Sequence, residues 1–542
     1  GQACSEPTDC QSLSCRNGSC LAIGNCLVRS PAYPTIQSAL DDPACETIML
    51  EADGYAENLT ISRGVEIVGV GNDTVLSPAA RAPIITAPEG EGLIVLRSLK
   101  MQDGDAADGG AAIRTWRDMT IEDVWFVDNH VQTDAPADSP TIPVGGGAIW
   151  ASDAALTITE SGFIRNEVIY NHTFDQRAQV SESVYGRGGA IRTFDGDLYL
   201  ARTHFEQNRV LLDVEIATPN TLGGAANAWV AGGAISSIGT VPEEIQLTIH
   251  ESTFRRNEAL VDVDGFQSIG FMFARALGGA VLGEGVDLWI GNGTMFDRNR
   301  ATADATGAPE AIAYASGGGV YQGRGPLGNW PTLDREVQFV DNAALAEGVR
   351  STIAEGGAAR FRGHIRQTEF RRNAALGNVS SGGALLVHGE TRVHNSLFWK
   401  NSASVGSAVF FDTSLRITPS VYDMWLINST LLANVHDSTI ETRTGQIHLK
   451  HVAMDYGRLR CEGSGSIQSE GHNLLPLDWG CAQLDASVRP VSDPLFQDST
   501  SSIARPLFGS PAIGQGDPSG CIDSIGSPIQ WDILGVPREG PC

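Results

Sequence analysis

Gly146-Gly147-Ala148-Ile149, followed by Phe163-Ile164-Arg165-Asn166, is the stretch that decides the fold. The same two signals return as Gly188-Gly189-Ala190-Ile191 with Phe205 and Asn208, and as Gly232-Gly233-Ala234-Ile235 with Phe254 and Asn257. They continue through Gly278, Phe296 and Asn299, then Gly317, Phe339 and Asn342. Gly356, Phe370 and Asn373, then Gly382, Phe398 and Asn401, follow. Weaker copies flank the series, at Gly109 with Phe126 and Asn129, and at Gly406 with Leu431 and Asn434. Self-similarity on this scale signals a solenoid of stacked units rather than a single globular core.

Between the glycine pair and the phenylalanine, apolar residues alternate, as in Leu156-Thr157-Ile158-Thr159 and Ile245-Gln246-Leu247-Thr248-Ile249. Period two marks strands with one buried face. The shortest step between repeats, 24 residues from Gly382 to Gly406, holds about three short strands and three turns, one coil of a β-solenoid. Glycine permits close backbone approach. Ile149, Ile191, Ile235, Val281, Val320 and Leu385 are expected to stack in the core, and so are the phenylalanines. Asparagine tolerates the left-handed conformation and bonds its own backbone, so the Asn column is expected to make a repeated turn. These columns read as scaffold, and no catalytic residue is assigned among them.

The paired motifs resemble the repeats of right-handed parallel β-helix proteins, especially the polymorphic outer-membrane-protein type, over roughly residues 35 to 455. The resemblance implies an all-β, right-handed parallel β-helix. It does not select a function, because that fold hosts pectate and alginate lyases, esterases, adhesins and stalks. The entry Thr35-Ile36-Gln37-Ser38-Ala39-Leu40, an amphipathic helix by its pattern, is similar to the first coil of pectin-esterase-like β-helices.

The chain divides into a Cys-rich N-terminal module (1–32), the helix (33–455) and a C-terminal cap region (456–542). Six cysteines precede residue 46 (Cys4, Cys10, Cys15, Cys20, Cys26, Cys45) and four follow residue 460 (Cys461, Cys481, Cys521, Cys542). An even number confined to the two ends reads as disulfides closing caps, hence an oxidising compartment. Zinc requires Cys-x-x-Cys spacing, which is absent. The phrases Gly471-His472-Asn473-Leu474, Asp493-Pro494-Leu495-Phe496 and Gly509-Ser510-Pro511-Ala512-Ile513 resemble the C-terminal cap of extracellular choice-of-anchor β-helix proteins. In that family a sorting tail commonly follows; this sequence departs from the pattern, and a Cys521–Cys542 bridge with no sorting tail or terminal β-barrel is expected here. The chain opens at Gly1 without a signal peptide and is expected to be a processed form, extracellular or on the cell surface. No run of 18 apolar residues spans a membrane.

Net charge is −27, with three lysines among 37 basic residues. That acidity excludes nucleic acid and anionic membranes as default partners. One window departs from it. Residues 350–400 carry eight Arg or Lys against three acids, +5, so the remainder carries −32. Aligning Phe370 with Phe398 sets His364 beside Arg392 and Arg366 beside His394. With Arg360 and Arg362 these form a cationic patch on an exposed strand face, suited to uronate or sulfate groups through bidentate arginine contacts.

The connections from Asn to the next glycine pair shrink from 24 residues (Asn208 to Gly232) to five (Asn401 to Gly406). They are rich in small apolar residues and predict a lobe on one side of the N-terminal two-thirds, with the last coils bare.

Explicit chemistry is sparse. Asp103-Gly104-Asp105 and Asp195-Gly196-Asp197 have turn composition. His448 and Lys450 share a strand face and imitate a lyase dyad. No cofactor is expected, and isolated turn acids leave room only for structural calcium. The expected function is a non-enzymatic, exported structural or adhesive β-helix, whose partners are other surface proteins, its own subunits or extracellular polysaccharide. The alternative is a secreted polysaccharide lyase acting on acidic glycans.

Overall fold

The computed structural model describes residues 15–16, 19–20, 24–135, 144–174, 182–216, 226–240, 245–265, 272–307, 311–323, 330–414, 422–434, 438–455, 457–476, 481–483, 488–490 and 510. Its strands stack in parallel as a β-helix. In one coil Ile149–Ser152, Leu156–Thr159 and Gly162–Ile164 form a first, second and third face. Ile149 pairs with Ile191, Leu156 with Leu198 and Phe163 with Phe205 in the coil above. Crossovers between parallel strands take the right hand.

The core follows from that register. In-register strands lie ~4.8 Å apart, so identical residues meet. The phenylalanines from Phe126 to Phe398 form an unbroken pile, with centroids 4.6–5.2 Å apart and planes within 10°. Ile149, Ile191, Ile235, Val281, Val320 and Leu385 are all fully buried.

Both members of each glycine pair are dictated by the backbone. Gly232 has φ +64°, and a Cβ on Gly233 would lie 2.1 Å from the Gly279 carbonyl oxygen. Such a contact leaves no room for a side chain.

The Asn column has a different role from the one its composition suggests. The left-handed residue is the one before each asparagine, from Asp128 through Arg165 and Gln207 to Ala433, with φ of +50 to +55°. The asparagine serves its neighbours instead. Asn208 donates Nδ2–H to Asn257 Oδ1 at 2.9 Å, and its backbone N–H reaches the same oxygen at 3.0 Å. Its second amide hydrogen goes to the Phe163 carbonyl of the preceding coil at 2.9 Å. Repetition from Asn129 to Asn434 makes a continuous, buried amide ladder. No asparagine of the ladder leaves a buried side-chain nitrogen or oxygen without a partner.

The lobe is an ordered fin. After each asparagine the chain runs outward on one strand, such as Glu167–Phe174, and returns on another, Glu182–Arg187. The outward strands stack into an eight-stranded sheet and the returning ones into a seven-stranded sheet. Their facing residues are buried and mostly aliphatic: Tyr170 with Val168 near the start, Val210, Leu212 and Val214 with Ala228 and Val230, later Ala301, Ala303 and Ala305 with Ala311, Ala313 and Ala315. Cα atoms of the two sheets come within 8 Å, closer than the ~10 Å usual for packed sheets. Toward the C-terminal end the outward strands shorten from Arg300–Gly307 to Ala343–Gly348 and Ala374–Leu376. A single bridge, Ala374 to Ser402, follows.

At the N-terminal end the helix Ile36–Leu40 buries Ile36, Ala39 and Leu40 over the open core. Thr35 caps it, and Glu57 accepts the N–H groups of Ile36 and Gln37. Cys26–Cys45 and Cys461–Cys481 are disulfides at the two ends. Cys15 and Cys20 pair in a two-stranded ribbon, while Cys4, Cys10, Cys521 and Cys542 lie outside the described residues. Coil pairing starts at Asn25–Leu27 and continues to Arg489–Pro490, beyond both boundaries drawn from the repeats. No helix among the described residues is long and apolar enough to cross a membrane.

Candidate functional site

The fin leaves the coil between the third and first faces, so the second face lies opposite it. There the register builds two outward columns. Thr332, His364, Arg392, Trp425, His448 and Gln468 pair in succession. Beside them run Arg366, His394 and Lys450, with the buried Ile427 between the last two. His364, Arg366, Arg392 and His394 from the first cationic group therefore share one surface with His448 and Lys450. The predicted neighbours His364 with Arg392 and Arg366 with His394 are in register.

Aromatic rings and cations interleave along this strip. Trp330, 37% exposed, lies against His364 with centroids 4.9 Å apart. The Arg392 guanidinium sits between indoles, 5.4 Å from the Trp330 ring and 5.1 Å from Trp425. Trp425 stacks on His448 at 5.1 Å. Cation–π attraction holds such a guanidinium in place, and its Nη2 also lies 3.4 Å from Glu390 Oε1, an exposed-rim contact that a stronger anion would have to displace.

Electrostatics differ between the two histidines. Burial, helped by the Arg366 and Arg392 charges, pushes His364 down to about 4. It is neutral at pH 7, and its Nδ1 lies 3.4 Å from Arg366 Nη2. His448 Nδ1 lies 2.7 Å from Glu470 Oε1, which fixes the tautomer with the proton on Nδ1. Asp423 lies 3.9 Å from Nε2.

Arg360 departs from the exposed patch the sequence suggests. Strand Ala359–Arg366 bends from the first face to the second, so Arg360 points into the corner beneath the fin. Its side chain is 13% exposed and lies 3.2 Å from Glu355. Tyr314 donates to that carboxylate at 2.5 Å, and Arg360 also bonds the Tyr314 hydroxyl. Burial, then the Glu355 charge, raises the Tyr314 phenol well above its ordinary value. This cluster ties fin to coil. Arg362 occupies the bend, where its N–H donates to Gln322 Oε1 at 3.0 Å.

Trp330, Trp425 and Glu470 belong to the strip but carry no repeat signal in the sequence. The turn acids are structural: Asp195 accepts from Thr240 N–H and hydroxyl at 2.6 and 2.7 Å, and Asp197 from Gln246 N–H at 2.8 Å. Among the described residues no group of three or more His, Cys, Asp or Glu is placed to hold a metal ion.

No family model matches the chain, and no curated protein matches it. Among solved structures it is similar to the Azotobacter vinelandii mannuronan C-5 epimerase AlgE4 A-module, at 10% identity over 84% of this chain and 94% of that one. The TM-score is 0.24, and a superposition so loose carries no argument about activity. The class rests on the chain's own strand pairing: a parallel β-helix with a lateral fin.

Proposed function

We propose that this chain is an exported, non-enzymatic β-helix that holds acidic polysaccharide along its second face, as a structural or adhesive element outside the cell. The observation that carries the reading is the Arg392 guanidinium sandwiched between Trp330 and Trp425, with Arg366 and Lys450 in the adjoining column. Indoles pack on the apolar faces of sugar rings, and arginines bind carboxylate or sulfate edges. Two terminal disulfides fit an oxidising compartment. The likeness of the repeats to the polymorphic outer-membrane-protein type, and of the C-terminal phrases to choice-of-anchor caps, supports the surface assignment.

A lyase is the second reading, favoured by one observation: His448 is oriented by Glu470, a base-and-orienter pair, on the same strand face as Lys450. Titration calorimetry with oligogalacturonate, beside an ultraviolet assay for unsaturated uronate product, separates the two. Saturable binding that Arg366→Ala/Arg392→Ala abolishes, without product, is expected. Product formation lost in His448→Ala establishes the lyase instead. Absence of binding overturns the scaffold reading.

A further inference from the structure

The second face continues upstream of the cationic strip, and its chemistry changes there. Upstream, the column that contains His364 and Arg392 includes Tyr199, Thr248 and Trp289, paired in succession ahead of Thr332. Tyr199 is 40% exposed. His250, in the adjoining column, bridges the rings at 5.5 Å from Tyr199 and 4.2 Å from Trp289. Two coil steps separate Tyr199 from Trp289, about 10 Å.

Two further observations set the character of this cluster. A Cβ on Gly291 would lie 2.4 Å from Trp289 Cη2. Only glycine there leaves room for the indole to lie along the sheet. Asn292 Nδ2 lies 3.0 Å from His250 Nδ1; the amide donates, so the ring keeps its proton on Nε2. Burial holds His250 below the ordinary histidine value, against a small opposing effect of Glu251, and the ring is neutral at pH 7.

The nearby charges are acids or spoken for. Asp287 lies one strand residue before Leu288, and burial raises its carboxyl. Arg202 is engaged by Glu160 at 2.9 Å and Glu251 at 3.8 Å. Anionic sugars gain nothing here. An apolar platform with neutral hydrogen-bonding edges suits uncharged rings.

We infer that Tyr199, His250 and Trp289 form a second subsite for neutral sugar rings, so that one glycan runs along the helix axis with its uncharged residues here and its acidic residues at Arg392. The inference rests on the acidic-glycan reading of the downstream strip. It adds a ligand class: a heteropolysaccharide containing both neutral and acidic sugars, rather than a homopolymer of uronate. From Tyr199 to His448 the track spans seven coil steps, about 34 Å.

The test compares hyaluronan oligosaccharides, which alternate uronate with uncharged N-acetylhexosamine, with oligogalacturonate of equal length, on the full chain. Hyaluronan is expected to bind about tenfold more tightly, a margin the size of a good stacking contact. Tyr199→Ala/Trp289→Ala should erase that margin and leave oligogalacturonate affinity unchanged, while Trp289→Phe restores part of it. Equal affinity for the two ligands in the native chain overturns the inference, as does a double variant that weakens both equally. Arg366→Ala/Arg392→Ala should weaken both ligands. If it weakens neither, the downstream reading fails whatever Trp289 does. Unchanged melting temperature in the Trp289→Phe variant keeps any effect attributable to the surface.

Discussion

The coils and the fin stack the same kind of strand in the same register, yet they fill their interiors with different residues. A coil closes three faces around a volume, and Phe163, Phe205 and Phe254 pile up to fill it. The fin lays two sheets flat, and aliphatic side chains fill most of the space between them, with the fully buried Tyr170 ring near its N-terminal end. Valine gives way to alanine along it, from Val210 and Val214 to Ala301, Ala303 and Ala305. The coils also carry the amide ladder, which ties each corner to the next by three hydrogen bonds per asparagine. Shape decides side-chain size, and only the closed coil needs a polar seam.

The sharpest way to break this distinction is Gly233→Ala. Its Cβ would collide with backbone of Gly279 and Glu258, at 2.1 and 2.5 Å, so two coils must separate. A loss above ~4 kcal/mol, or failure to fold, is expected by chemical denaturation. Asn257→Ala ranks next. It strips the acceptor from both the N–H and the amide of Asn208, all buried, and should cost about 3 kcal/mol or more. A loss near zero would mean that water replaces the ladder.

In the fin, Ala303→Leu overpacks a site with no slack and should cost ~1–3 kcal/mol. Hydrogen exchange should quicken in the fin strands while the coils keep their protection. Loss of protection in both would show that they open as one unit.

The pH dependence of stability sharpens the contrast between the strip and the rest. His364 titrates near 4 when folded and at its ordinary 6.5 when unfolded. The unfolded chain binds the extra proton between those values, so stability falls as pH drops from about 6.5 to about 4. His364→Gln should flatten the melting temperature across that window. The smallest effect is expected for Arg165→Ala. Its bidentate contacts to Asp128 at 2.6 Å join side chains that are 52% and 44% exposed, worth under ~1 kcal/mol.

The fold was legible because it repeats: glycine, aliphatic and phenylalanine columns each state the same steric demand in every coil. The pairs His364 with Arg392 and Arg366 with His394 were legible for the same reason, since Phe370 and Phe398 set their register. Trp425, and the register that sets His448 in the Arg392 column, escaped because Leu431 replaces phenylalanine in the intervening coil, and the connection from Asp412 to Tyr422 breaks the count. Arg360 misled because a bend within Ala359–Arg366 moves it to another face, and nothing in the composition marks that bend. The left-handed residues escaped too. Asp128, Arg165, Gln207 and Ala433 share a conformation but no chemistry. The fin read as a lobe because alanine alternates too quietly to announce a strand.

The amide ladder has a consequence for how such a chain grows. Every asparagine presents an acceptor to the coil below and a donor to the coil above, so all the side chains point one way. A whole coil can be duplicated or deleted, and the seam heals without an orphaned bond. Only the two terminal positions need bespoke partners: the Gly104 N–H, which meets Asn129 at 3.0 Å, and Asp455, which takes the Ala433 N–H beside Asn434. Length is thus a free variable for this molecule, and its ends are where ancestry must be solved by invention rather than by copying.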